Sequence, residues 1–136
     1  MGEVRLSGGV ITYEVGGGDG PVVVLLHGVA MDGSLWRHVV AGLGGGVRCI
    51  VPTLPLGGHR RPMEPDADLT VLGVARLVAE FLEALRLDDV TLVMMDGWFL
   101  PQGRLVEVAD SYTLLPEDRP DALVEHITAF LAEAAA

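Results

Sequence analysis

The chain has 136 residues, which fits a single domain, and half of them are hydrophobic, which is enough to bury a core. Its formal charge of -10 repels phosphate backbones and anionic lipid, so nucleic acid and membrane surfaces are not expected partners. All nine basic residues are arginine, which excludes a lysine Schiff base and a phosphate-loop lysine. Cys49 is the single cysteine, so no internal disulfide is possible. No signal-peptide pattern and no apolar run near the ~20 residues of a membrane span are present, and a cytoplasmic location is expected.

The N-terminal region predicts a hairpin followed by a buried strand. Residues 10–15 alternate apolar and polar side chains, as a half-buried strand does, and residues 4–6 supply a partner strand across a glycine turn. The run 22–26, Val-Val-Val-Leu-Leu, is typical of a strand that is covered on both faces of a parallel sheet.

The middle of the chain alternates helices with a strand. A helix is predicted over 34–43, with Asp32 or Ser34 as its N-cap, and a strand over 47–51 that Pro52 closes. The clearest helix spans residues 70–85, where apolar side chains recur every three or four positions.

The C-terminal region predicts strands over 90–95 and 104–108 and a last helix that begins near Pro120. We expect strand 104–108 to run parallel to residues 90–94. The alternation of strands and helices predicts a three-layer α/β fold, in which helices flank a mostly parallel sheet.

Four segments of the chain resemble a known superfamily. They are residues 21–36, with His27-Gly28 followed by a Leu35-Trp36 pair, residues 54–62 (Leu-Pro-Leu-Gly-Gly-His-Arg-Arg-Pro), the helix over 70–85 together with residues 89–93, and residues 116–120 with the helix after them. They resemble the third strand with its oxyanion loop, the loop after the fourth strand, the approach to the nucleophile and the C-terminal helix of the α/β-hydrolase superfamily. The similarity is greatest to the branch of epoxide hydrolases and haloalkane dehalogenases.

This resemblance implies one domain over residues 1–136 and a small neutral organic substrate, such as an ester, an epoxide or a haloalkane. No cofactor is expected, and no metal site either, because the histidines are scattered and no HxxE or CxxC spacing occurs. Between positions 95 and 104, however, the family has a long segment with a helix, two strands, a lid and the acid of the charge relay. Here only a few residues remain, so we expect a shortened α/β-hydrolase fold without a lid.

Asp96 falls on the family's nucleophile position, where the resemblance implies glycine-like residues two places before and after it. This chain has Met94 and Trp98 there, whose side chains should clash in so tight a turn. A second interpretation takes Asp96-Gly97 as a hairpin turn, after which residues 98–100 return antiparallel. In a third, Asp96 is the relay acid and the nucleophile is missing.

The general base of the family is also missing. Its histidine lies just before the last helix, but residues 110–114 contain none. The oxyanion loop survives as His27, Gly28 and Val29, and the backbone N–H of Val29 is the expected donor to a developing negative charge. An oxyanion hole without a nucleophile and a base contributes little to the reaction rate.

The sequence therefore leaves several functional hypotheses open. The first is an α/β-hydrolase relative that is catalytically defective, and the alternative is a non-catalytic binding or oligomerising module that reuses the hydrolase sheet. A third hypothesis keeps weak hydrolysis through Asp96. Because the shortened chain has few helices to cover its strands, we also expect a homodimer that forms through an uncovered sheet edge.

The hairpin interpretation makes a direct prediction. Asp96→Asn should leave the free energy of unfolding nearly unchanged, because Asn serves as well as Asp before Gly in a type I′ turn. Gly97→Val should cost ~1 kcal/mol or more, since the turn needs a positive φ at that position. Urea unfolding of both variants measures this, and a harmless Gly97→Val would rule out the turn.

Overall fold

A computed structural model of the chain describes residues 1–95 and 103–136. In chain order its elements are β1 (Gly2–Leu6), β2 (Gly9–Gly17), β3 (Val22–Leu26), a 3-10 turn (Gly33–Trp36), α1 (Arg37–Leu43), a second 3-10 turn (Gly44–Gly46), β4 (Arg48–Thr53), α2 (Val71–Ala84), β5 (Val90–Met94), α3 (Leu115–Asp118) and α4 (Pro120–Ala134). None of the described helices is long and apolar enough to cross a membrane.

The five strands form one mixed sheet in the order β1-β2-β4-β3-β5. Three of them are parallel, because β3 pairs with both β4 and β5 in the same direction. The hairpin of β1 and β2 joins them through an antiparallel pairing of β2 with β4. Val23 to Leu26 of β3 are almost fully buried, as the β-branched run predicts.

A hydrophobic cluster covers each face of the sheet. On one face, Trp36, Val39 and Ile127 bring α1 and α4 against the strands. On the opposite face, Val74 and Phe81 of α2 pack on the sheet and the hairpin. The predicted three-layer α/β architecture is therefore confirmed, and its core lies on both sides of β3 and β4.

Polar caps fix where the helices begin. The Asp32 carboxylate accepts hydrogen bonds from the Ser34 backbone N–H at 2.9 Å and the Ser34 hydroxyl at 2.6 Å. Asp32 is thus the N-cap, and the predicted helix starts with a 3-10 turn before α1. At α2, the Thr70 hydroxyl oxygen accepts a hydrogen bond from the Gly73 N–H at 3.1 Å.

Pro52 lies inside β4 and does not close it, so the predicted end of that strand is too early. The pairing of β4 with β3 reaches only Ile50, whereas the pairing with β2 continues to Thr53. A proline without an N–H is tolerated here because the strand is paired on one side only at this point.

The predicted strand over residues 104–108 is wrong, and with it the expected parallel run beside residues 90–94. These residues have no regular secondary structure, and Leu105 is 93% exposed. The Arg104 guanidinium instead donates to the Glu133 carboxylate at 2.6 Å and lies 5.1 Å from the centre of the Phe130 ring. The segment therefore lies against α4 at Arg104. Its alternating apolar side chains have no neighbouring strand to pack against in the described residues. Asp96 and residues 97–100 lie outside the described residues.

The contact between α1 and α4 predicts a steric effect at Gly42. A Cβ atom there would lie 2.7 Å from Cγ2 of Val124, a branched side chain that cannot easily rotate away. Gly42→Val should lower the free energy of unfolding by about 1 to 3 kcal/mol. Gly45→Ala is the matched control, because a Cβ atom at that glycine meets no atom within 4 Å. Equal stabilities of the two variants in urea would contradict this docking of α4.

Candidate functional site

The candidate site lies at the end of β3, where the chain leaves the sheet. A shallow depression of about 440 Å³, open to solvent, lies beside the loop that follows this strand. Its walls include Ala30 and Met31 of that loop, Gly58 of the loop after β4 and Leu114 just before α3. Segments far apart in sequence therefore meet here.

His27 is the buried polar residue at the start of this loop, only 4% exposed. The Leu54 N–H donates to its Nε2 at 2.8 Å, so this nitrogen carries no proton. The proton is therefore on Nδ1, which donates to the Gly28 carbonyl at 2.9 Å. Burial lowers the pKa of His27, and the imidazole is neutral with both ring nitrogens engaged. It ties the end of β3 to the end of β4 and has no nitrogen left to act as a base.

The two amides after Gly28 have different environments. The Ala30 N–H donates to the Leu56 carbonyl at 2.7 Å, and Ala30 adopts a left-handed φ of 62° that few residues other than glycine tolerate. Val29 is 70% exposed, and its N–H has no acceptor within residues 1–95 and 103–136. The Val29 N–H, which the sequence predicts as the oxyanion donor, therefore has no acceptor among the described residues, and it precedes Ala30 on the wall of the depression.

Two glycines allow the loop after β4 to approach this loop. A Cβ atom at Gly58 would lie 2.1 Å from the Met31 carbonyl oxygen, and one at Gly57 would lie 3.2 Å from the Ala30 Cα. Gly57 also has a φ of 118°. Neither glycine was expected at the site from the sequence. The pattern that could have indicated their role is a Gly-Gly pair in a loop otherwise rich in proline and arginine.

The three other histidines lie on different elements. His38 of α1 has its Nε2 3.9 Å from the Glu117 carboxylate, which Arg37 also binds. His126 is exposed on α4. His59 follows Gly58, and its Nδ1 is buried without a hydrogen-bond partner among the described residues. Of the three, His59 therefore lies nearest in sequence to a wall of the depression and has a ring nitrogen to spare.

Two serine hydroxyl groups, those of Ser34 and Ser111, are committed to structural hydrogen bonds. The Ser34 hydroxyl donates to Asp32, and these hydrogen bonds lower the pKa of the Asp32 carboxyl, so the wall carries a negative charge. The Ser111 hydroxyl donates to the Val108 carbonyl at 2.8 Å. The Tyr112 side chain is 86% exposed. Neither serine hydroxyl is hydrogen-bonded to a histidine in the described residues.

Metal binding finds no support in the part of the chain that the structure describes. No group of three or more His, Cys, Asp or Glu side chains gathers there as metal ligands would.

Comparisons with known proteins identify similar sequences and structures. No family model matches the chain. It is 50% identical over 136 aligned residues to the cis-3-alkyl-4-alkyloxetan-2-one decarboxylase of Xanthomonas campestris, covering 87% of this chain and 45% of that protein. It is 31% identical over 94 residues to a haloalkane dehalogenase of Mesorhizobium japonicum, covering 69% of this chain and 30% of that protein. An epoxide hydrolase from Vigna radiata superposes with a TM-score of 0.62 at 27% identity, covering 72% of this chain and 33% of that structure.

The chain belongs to the α/β-hydrolase superfamily. It spans less than half the length of these curated relatives. The family resemblance seen in the sequence is confirmed at the level of fold and ancestry. The roles of His27, Gly28 and Val29 as an oxyanion loop stay a prediction, and Asp96 lies outside the described residues.

The buried imidazole of this hydrolase-family chain predicts a dependence of stability on pH. Because the folded-state pKa of His27 lies below the ordinary value of 6.5, the unfolded chain binds the proton more tightly. The stability that His27 contributes is complete above pH 6.5 and is lost as the pH falls toward the folded-state pKa.

His27→Gln removes this titration and keeps an oxygen that can accept from the Leu54 N–H. Urea unfolding between pH 7.5 and about 5 should therefore show a weaker loss of stability for His27→Gln than for the parent chain. His126→Gln, on the exposed face of α4, is the matched control and should keep the parent's slope. A parent slope retained in His27→Gln would refute the assignment of a neutral, buried imidazole.

Proposed function

We propose that this chain is an α/β-hydrolase-type domain that keeps the oxyanion loop and has lost turnover. One observation carries the proposal: both ring nitrogens of His27, the histidine beside that loop, are engaged by backbone groups. General-base catalysis needs an imidazole nitrogen that is free to take a proton from the nucleophile or from water. His27 cannot supply it while it holds the ends of β3 and β4 together.

The sequence supports the same conclusion at two other positions. Residues 110–114, where the family resemblance implies the catalytic histidine, contain none, although Leu114 reaches the wall of the depression. The bulky Met94 and Trp98 flank Asp96 where the nucleophile turn requires small residues. A nucleophile, a base and an oxyanion donor contribute as a unit, so the loss of two of them removes most of the rate enhancement.

The remaining part fits a ligand of the kind that the relatives suggest. The Val29 N–H is one donor for an oxygen that gains negative charge, and one such donor is worth about 10²- to 10³-fold in rate when the other groups are present. The depression is open and shallow, and the ionised Asp32 on its wall repels anions. We infer a small neutral organic molecule, of the ester, epoxide or haloalkane class, as the ancestral substrate.

The second candidate function is a non-catalytic binding or oligomerising module. The observation that favours it is β5, which pairs with β3 alone in residues 1–95 and 103–136 and carries no charged side chain. If the sheet no longer supports a catalytic site, its edge can pair with a strand of another polypeptide.

The proposal predicts no turnover above buffer for nitrophenyl esters, epoxides or haloalkanes. The measurement is product release by the purified chain, with Asp96→Ala and His59→Ala assayed beside it. Asp96→Ala tests the nucleophile position, and His59→Ala tests the histidine that has a ring nitrogen to spare. All three proteins should match buffer alone. Turnover that survives rigorous purification and disappears in either variant would show that a working site remains.

A further inference from the structure

The two edges of the sheet are protected to different degrees. The outer strand on one side is β1, where Glu3 and Arg5 alternate with apolar residues. Arg61 donates to the Glu3 carboxylate at 2.5 Å, and Arg5 donates to Glu64 at 3.1 Å. Met63, between these two partners in sequence, forms an isolated bridge with Gly9. Charged side chains and a covering loop thus guard this edge in the way that natural sheets avoid unwanted pairing.

β5, the outer strand on the other side, has no such protection among the described residues. It pairs with β3 over its whole length, from Val22–Val90 to Leu26–Met94, and no strand pairs with its outer edge in residues 1–95 and 103–136. Its sequence, Val-Thr-Leu-Val-Met, contains no charge and no proline. Its residues are β-branched or apolar, and such residue types favour pairing between strands.

The faces of β5 are satisfied although its edge is not. Leu92 and Met94 pack with the cluster beneath α2, and Val93 packs with the cluster beneath α1 and α4. All five residues are nevertheless only half-buried. Along the outer edge of the strand, the backbone N–H and C=O groups that do not bond to β3 point away from the sheet.

We propose that a second copy of this chain pairs with the edge of β5, antiparallel and about a two-fold axis at Leu92. In this register Val90 faces Met94 of the partner, Thr91 faces Val93, and Leu92 faces its own copy. The pairing needs only what each copy already has, because a two-fold interface is self-complementary.

The charge pattern selects the antiparallel direction. Asp88 and Asp89 precede β5 and are the charges next to it in the described residues. A parallel pairing in register would set these carboxylates against the same carboxylates of the partner, which is unfavourable. The antiparallel pairing lets Asp89 face the uncharged Met95. It sets Asp88 opposite position 96, which is also an aspartate, so fewer aspartates face one another than in the parallel pairing.

The size of the edge limits the strength of this contact. Five residues span about 17 Å, so the strand alone buries less than the roughly 1,200 Å² of a stable interface. Each copy also carries a charge of -10, and the two copies repel one another. The dimer should therefore dissociate on dilution and become tighter as salt shortens the Debye length from about 30 Å at 0.01 M to about 3 Å at 1 M.

The first test is sedimentation of the full chain across a concentration series at low and high salt, together with two variants of Thr91. Thr91→Val keeps a β-branched neutral side chain and should dimerise like the parent. Thr91→Lys places a charge on the edge and should raise the dissociation constant about tenfold or more. Circular dichroism and urea unfolding of both variants check that the monomer is folded.

The second test traps the register by oxidation. Leu92→Cys places two thiols opposite one another on the axis and should give a cross-linked dimer, whereas Val90→Cys, on the same face, has no thiol opposite it. The single native cysteine, Cys49, is fully buried and is common to both variants.

Three results would overturn the proposal. One is a monomer at every concentration and salt, which would mean that the chain itself covers the edge. Another is equal dimerisation of Thr91→Lys and Thr91→Val, or equal cross-linking of the two cysteine variants. The third is open-ended association without a limiting dimer. None of these results bears on turnover, so this inference and the proposed loss of catalysis fail or stand independently.

Discussion

A single imidazole joins the ends of the two central parallel strands. His27 lies just past the end of β3, and the N–H of Leu54, just past the end of β4, donates to it. Between these ends the structure places the loop that carries Val29, the close approach of Gly57 and the edge of the depression. Removing the acceptor would leave the Leu54 N–H buried without a partner, at a cost of about 1 to 3 kcal/mol. The geometry of this end of the sheet therefore depends on a neutral His27.

The C-terminal part of the chain depends on a second set of contacts. α4 packs against α1 through Gly42 and Val124, and the Glu117 carboxylate of α3 is bound by both guanidinium nitrogens of Arg37. These contacts bring Leu114 to the wall of the depression. The segment that precedes the last helix thus reaches the same end of the sheet as the loop after β3, even though it brings no histidine there.

Much of this fold could be predicted from sequence, and the reasons are local. The buried run of β3, the periodicity of α2 and its Thr70 cap each encode their own structure, because burial and capping act over a few residues. The strand predicted over 104–108 failed because its alternation needs a neighbouring strand to pack against. Arg104 binds α4 instead, through Glu133 and Phe130, and no local pattern reveals that choice. The motif placed His27 in the predicted oxyanion loop, but its two backbone hydrogen-bond partners depend on tertiary structure.

The central claim is that His27, at the start of the loop after β3, is structural and cannot act as a base. The most direct measurement is nitrogen-15 NMR of the histidine side chains across a pH series, which reports the tautomer and the protonation of each ring. The account predicts that His27 has its proton on Nδ1 and stays neutral as the pH falls through 6.5, the ordinary imidazole pKa. A His27 ring that carries its proton on Nε2, or that titrates at or above 6.5, would contradict it.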